Sequence, residues 1–325
     1  MPAKFGVITP QGWRLDLVKI ENPIDKYEHM TRFAQELERL KYDSVWLYDH
    51  FHTVPTQELE TNFECWISTA ALARDTSTIR VGQMVTCNNY RNPALLAKMA
   101  STVDVLSHGR LDFGIGAGWY EEEYKAFGYD FPDGPERLSM LDEALQIIHA
   151  MWRDPYATFE GKYYQVRGAI NEPKGVQQPH IPLWVGGSGE RVTLKLVAKY
   201  GDACNLTAIL PDDYRHKLEV LKGHCDKVNR DYDSIIKSAH VFMTLLAPGE
   251  DPEKATAPFR SRQGSTLEEY RQRNFVGAPS ETVDYLSSLE EVGIDYFVFY
   301  FRNDLTQFDT IQRFAEEVMT PMRGE

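Results

Sequence analysis

The sequence has no apolar run near the ~18 residues a membrane-spanning helix requires, so no membrane partner is expected. The opening stretch MPAKFGVITP lacks the extended apolar core of a secretory signal, and the expectation is a cytoplasmic protein. Cysteine is scarce. Cys65, Cys87, Cys204 and Cys225 form no C-x-x-C pair, and their spacing fits neither a zinc site nor a disulfide framework. Positive charge is in deficit, with 35 Lys and Arg against 48 Asp and Glu and a net charge of −13, which argues against nucleic acid and anionic membrane as partners. An anionic cofactor is still compatible, because a local nest of backbone N–H groups can hold phosphate in an acidic protein. Of nine histidines only His50 and His52 form an H-x-H, and no later strand end adds the His or carboxylate that zinc would need, so no metal is expected. Short repeats, low-complexity tracts and the Gly-Lys-Ser/Thr of a Walker loop are all missing.

What is present is an alternation. Short apolar runs (KFGVIT, 4–9; SVWLYD, 44–49; IRVGQMVT, 79–86; RLDFGIG, 110–116; PLWVGG, 182–187; ACNLTA, 203–208; SAHVFMTLL, 238–246; IDYFVFYF, 294–301) are each followed by a helix-period segment. The first helix is expected to be capped by Asn22 with Pro23 in its first turn, and the second, 63–73, by Asn62. Near-continuous apolar strands suit parallel strands buried on both faces. Eight such units predict an α/β fold, a (β/α)8 TIM barrel spanning 1–325 as one domain. Two segments exceed the minimal barrel. Residues 153–181 contain TFEGKYYQV, a hairpin turning at Gly161, and residues 247–276 are long, polar and without clear periodicity, as lids often are.

Two glycine clusters stand at strand exits. GIGAGW (114–119) follows the fourth strand, and Trp119 occupies the place where a Rossmann fingerprint needs a small residue, so a dinucleotide turn is disfavoured. Glycine there either lets a flat ring or phosphate approach the backbone or simply makes room in a crowded barrel. GGSGER (186–191) leads into the next helix, where unpaired N–H groups and the positive helix end favour an anion, with Arg191 adding charge. In barrels both positions lie on the functional face.

The stretches DSVWLYDHF (43–51), RVGQMVTCNNYRNPALLAK (80–98), HGRLDFGIGAGWYEEEYKAFG (108–128), IPLWVGGSGE (181–190), YGDACN (200–205) and GAPSETVDYLSSLEEVGIDYFVFYF (277–301) carry a resemblance. In this order they resemble the bacterial-luciferase-like flavin and deazaflavin oxidoreductases, and the DHF, GAGW and GQM details are most similar to the coenzyme F420-dependent branch. The resemblance implies a luciferase-like barrel with an inserted lid and a homodimer. It implies a deazaflavin, or alternatively FMN, in the barrel mouth, and a non-prolyl cis peptide at Met84–Val85 behind the ring.

Carried over by position, Asp49 and His50 lie beside the cofactor, with His50 as proton carrier and His52 a weaker candidate. Asp49, Thr86 and Asn88 would bond the ring edge; Gly116, Ala117 and Gly118 would pass close to it; Gly186, Gly187, Ser188 and Gly189 would bind the phosphate tail. Related sugar-phosphate dehydrogenases have a glutamate where Trp119 stands, which counts against that activity, while Glu121, Glu122 and Glu123 read as a solvated helix start. Trp13 and Trp119 are candidate walls of an apolar substrate pocket. The expected reaction is hydride transfer to or from a small-molecule substrate such as an enone, an imine or an alcohol–ketone pair. The alternatives are an FMN-dependent monooxygenase served by a partner reductase, and a non-catalytic flavin-binding protein.

Overall fold

The computed structural model describes residues 3–54, 56–262 and 264–324. The apolar runs form eight parallel strands: β1 (Lys4–Ile8), β2 (Ser44–Leu47), β3 (Arg80–Gln83), β4 (Leu111–Gly116), β5 (Leu183–Gly186), β6 (Ala203–Leu206), β7 (Ile236–Leu245) and β8 (Tyr296–Phe301). Each pairs with the next in parallel, and β8 pairs with β1, so the sheet closes into a barrel. Closure removes every free edge from the cylinder and leaves the strands wet only at their ends.

The helices between strands bury their apolar stripes against the outside of the barrel. Pro23–Arg39, for example, buries Met30, Phe33, Ala34 and Leu37. Its Asn22 cap accepts a hydrogen bond from the Ile24 N–H, as expected. The second helix runs Cys65–Asp75 and is capped by Glu64, not Asn62; the Asn62 amide donates to the His50 carbonyl instead. Inside the barrel Trp46, Trp184 and Tyr296 pack edge to face, with centroids 4.8 Å and 5.0 Å apart, and form a solid floor. The cylinder is therefore a packed core, and only its C-terminal mouth is available for a ligand.

Two expectations, the cis Met84–Val85 peptide and the hairpin turning at Gly161, are met, and two departures from the sequence reading matter. The third apolar run is not one strand from 79 to 86. It stops at Gln83, passes through a cis Met84–Val85 peptide, and resumes at Thr86–Cys87, which pairs with the end of β4. The hairpin in 153–181 is present, Ala157–Glu160 against Gln165–Ala169, and closes with the Gly161 N–H on the Tyr164 carbonyl. Residues 247–276 are not aperiodic. They hold helices Pro252–Arg260 and Leu267–Arg271 and end in a short strand, Phe275–Gly277, added outside the end of β7.

Candidate active site

A cavity of about 290 Å³ opens at the C-terminal mouth. Its walls come from successive strand ends: Trp13 after β1; Tyr48, Asp49 and His50 after β2; Met84 to Cys87 after β3; Gly118, Trp119 and Tyr120 after β4; His240 and Phe242 from β7. Convergence of many strand ends on one recess is how this architecture assembles chemistry.

His50 is held on three sides. Its ring lies parallel to Trp13, with centroids 4.2 Å apart, and edge-on to Trp119 and Tyr120 at 5.7 Å and 5.9 Å. Its Nδ1 sits 2.7 Å from Oε2 of Glu123, so Nδ1 carries the hydrogen and donates it. Nε2 has no hydrogen-bond partner among the described residues, and the ring borders the cavity. Glu123 is fully buried and also accepts from the Phe51 and His52 N–H groups and the Tyr90 hydroxyl. Burial alone would raise its carboxyl. The hydrogen bond and charge of His50, together with the other donors, outweigh burial and hold it below the ordinary carboxylate value. The solvated-helix reading thus holds for Glu121 and Glu122, which are exposed, and fails for Glu123. The short helix Glu121–Ala126 turns its third residue inward.

Asp49, expected beside the cofactor, borders the cavity and is bonded by the protein itself. Both its oxygens are taken, Oδ2 by the Cys87 N–H at 2.9 Å and Arg91 at 2.6 Å, Oδ1 by Arg91 at 3.0 Å. Arg91 also pairs with Glu64, the cap of the second helix. This buried chain of charges ties β2, the bulge after β3 and a helix end into one unit, while the Met84 N–H bonds the Leu47 carbonyl at 2.7 Å. Val85 projects towards β4 and β5. A Cβ at Gly116 or Gly186 would meet a Val85 methyl at 2.8 Å or 2.7 Å, and one at Gly114 would lie 1.8 Å from the Gln83 carbonyl oxygen. Three of the motif glycines therefore make room for the bulge itself.

The second glycine cluster stands beside the first, because β4 and β5 are paired from Phe113↔Leu183 to Ile115↔Val185. Gly187, at φ +119°, turns the chain outward into Ser188 and Gly189. These two border an open groove of about 500 Å³ with Arg191, Thr193 and Lys217. The helix that follows, Thr193–Tyr200, starts beside this groove without a side-chain cap, and its Leu194 N–H donates to the Gly189 carbonyl.

The structure brings together at the mouth Trp13, Asp49, His50, Met84, Val85, Thr86, Gly118 and Trp119. Ser188 and Gly189 border the adjoining groove, while Gly116, Ala117, Gly186 and Gly187 form the backbone behind them. Two candidates turn elsewhere. The Asn88 amide points to Asn89 and the Tyr164 hydroxyl of the hairpin. The His52 ring packs on Phe127, 5.2 Å between centroids, and does not line the cavity.

Tyr48, His240, Arg14 and Arg302 went unnoticed in the sequence. The Tyr48 hydroxyl is 2.9 Å from Nε2 of His240. Burial, and then the charges of Arg14 and Arg302, push His240 down to about 3. Burial also raises the Tyr48 phenol, so this pair is neutral, with Tyr48 as donor.

The profile of luciferase-like monooxygenases matches residues 3–296. The chain belongs to the luciferase-like monooxygenase family. Within that family it is 34% identical over 150 residues to an uncharacterized protein of Mycobacterium tuberculosis, a match covering 46% of this chain and 52% of that protein, about half its length. It is 24% identical to an F420-dependent glucose-6-phosphate dehydrogenase of Microbacterium testaceum, over 90% of this chain and 92% of the relative. It is 25% identical to the oxygenase component of a flavin-dependent trigonelline monooxygenase of Acinetobacter baylyi, over 90% and 89%. Among solved structures, an F420-dependent secondary alcohol dehydrogenase bound to an F420–acetone adduct superposes with a TM-score of 0.82 at 21% identity, covering 99% of both chains. These likenesses agree with the barrel; the luciferase-like fold read from the sequence is the one observed.

Proposed function

We propose that the protein is an F420-dependent oxidoreductase that moves hydride between the deazaflavin and a small organic substrate. The observation that carries this reading is His50: Nδ1 tied to the buried Glu123 carboxylate, Nε2 open to a cavity backed by the Met84–Val85 bulge. The F420-dependent dehydrogenases among the relatives support it.

The residues fit the cofactor on two counts. A flat ring has an aromatic and backbone-lined recess, and a phosphorylated tail has the groove at Ser188–Gly189, where an uncapped helix start and Arg191 would meet it. Bound there, the deazaflavin supplies the hydride. Met84 and Val85 would back the ring, with buried Trp13 beside His50 and the largely exposed Trp119 at the rim. His50 handles the proton. When a carbonyl is reduced, the imidazole gives Nε2–H to the substrate oxygen while the Glu123 carboxylate holds Nδ1–H. In the reverse direction neutral Nε2 takes the alcohol proton. Asp49, locked by Arg91, positions the bulge and transfers no proton.

The test is a fluorescence titration of the purified protein with F420, FMN, FAD and NADPH. F420 is expected to bind tightest. Tighter uptake of FMN would overturn the reading in favour of a monooxygenase supplied by a reductase, a reading that the relative serving as the oxygenase component of a flavin-dependent monooxygenase would then support. With F420 bound, His50→Ala is expected to lower turnover about a hundredfold.

A further inference from the structure

We infer that Arg14 and Arg302 form an oxyanion subsite at the inner end of the active site, so that the substrate is an organic anion and not the apolar molecule that Trp13 and Trp119 suggested. The substrate claim rests on the oxidoreductase reading; the subsite itself does not.

Arg302 is buried and Arg14 partly so. Arg302 is 9% exposed, and the Nε atoms of Arg14 and Arg302 are buried without a hydrogen-bond partner. Neither guanidinium forms an ion pair among the described residues. Both lie against one ring, Phe242, at 5.9 Å and 5.1 Å from its centroid, and Arg14 also sits 4.3 Å from the centre of Trp13. Burial, followed by the charge of Arg302, lowers Arg14. Two buried like charges pressed on one ring destabilise a fold unless something supplies the opposite charge.

Among the described residues no carboxylate pairs with either guanidinium, and Asp16 offsets Arg14 only through its charge at a distance. A second cavity, about 340 Å³, lies between these arginines and the helix Pro252–Arg260. Its carboxyls are engaged elsewhere: Asp304 pairs with Lys19, Glu250 accepts the Ala247 N–H, and Asp16 accepts from Gly12 and Tyr300. Burial raises Asp16 to about 6, which weakens it further as a counter-charge. Lys254 and Arg262 of the lid segment add positive charge to the same space. In a chain of net charge −13 this is a local inversion of sign.

Position ties the subsite to the chemistry. Arg14 borders both cavities, and Trp13 carries His50 and Arg14 at 4.2 Å and 4.3 Å from its ring centre. A small substrate whose carboxylate, phosphate or sulfonate is gripped by the two guanidinium forks would extend past Trp13 and Phe242 towards Nε2 of His50. The charged end is held away from the ring, and the reacting carbon lies in the mouth.

The experiment titrates cofactor-free protein with inorganic phosphate, butyrate and benzoate, and with butyramide and benzamide as neutral matches, at constant ionic strength. Calorimetry and melting temperature are read for wild type, Arg14→Met, Arg302→Met and Arg302→Lys. At least one anion is expected to bind one to one, with its neutral match at least tenfold weaker. Each Met variant should weaken the anion at least tenfold, and Arg302→Lys by less. The Met variants should melt at or above the wild-type temperature, because an unpaired buried charge is gone, which also shows that they fold. The subsite is overturned if no anion saturates the wild type, if the amides bind equally, or if both Met variants bind within threefold of wild type. Anion binding without F420 uptake would sustain the subsite and overturn the F420 reading alone.

Discussion

Glu123 accepts four hydrogen bonds while fully buried, one of them from the ring that is to carry a proton. It acts through His50 and is a positioning residue. Glu123→Gln keeps an oxygen for the Phe51 and His52 N–H groups but replaces the carboxylate oxygen that accepts from His50 Nδ1 and the Tyr90 hydroxyl. Steady-state kinetics of that variant between pH 5.5 and 8.5 should show kcat lower by about 10- to 100-fold, with KM changed by less than about threefold. Wild-type kcat throughout the range would remove Glu123 from the mechanism. At this scale the sequence was half legible. His50 and Asp49 stand in a quotable motif. Glu123 is the last of three identical residues, and residue type cannot say which of three neighbours a short helix will bury. Arg14 and Arg302 were invisible for a related reason: an arginine reads as surface until its neighbours are known.

The break after β3 is the element that shapes the site. Its room is made by glycines on two neighbouring strands, so substitution there tests the bulge and not the chemistry. Gly114→Ala would drive a Cβ into the Gln83 carbonyl, and urea unfolding should show a loss of about 3 kcal/mol. Gly223→Ala is the control: it lies within helix Pro211–Val228 with open space around it, and should gain about 0.5–1 kcal/mol. Equal effects of the two would mean that the bulge does not depend on that space. The apolar pattern of 79–86 gave no sign of the break, because burial continues across it while pairing does not. The lid helices did leave signals, namely Asp251 before Pro252 and the Thr266–Glu269 capping box, but these are cap signals and not periodicity.

For the molecule as a whole, the eightfold alternation was legible because each unit repeats one physical pattern. Closure was inferred from the count, since the pairing of β8 with β1 joins residues nearly 300 positions apart. The closed mouth concentrates groups whose protonation differs between folded and unfolded chain. His240 is held at about 3 against an ordinary 6.5. Its contribution is present in full above pH 6.5 and is lost as pH falls towards 3, because the unfolded chain takes up the proton first, at up to about 1.4 kcal/mol per pH unit. Asp16, raised from 3.8 to about 6, works in the opposite sense between those values. Comparing His240→Gln with wild type isolates the histidine. Urea unfolding should give a destabilisation at pH 7 that shrinks by up to about 2 kcal/mol at pH 5. A difference independent of pH would show that His240 does not titrate with unfolding.

The short strand Phe275–Gly277 lies against the end of β7, and the Leu246 N–H bonds the Gly277 carbonyl. Residues 247–274 therefore leave the cylinder and return to it at the same spot. Such an excursion behaves as a cassette: it can be lengthened, trimmed or exchanged while every stave keeps its register. Selectivity for the molecule being transformed can then drift independently of the machinery that transforms it.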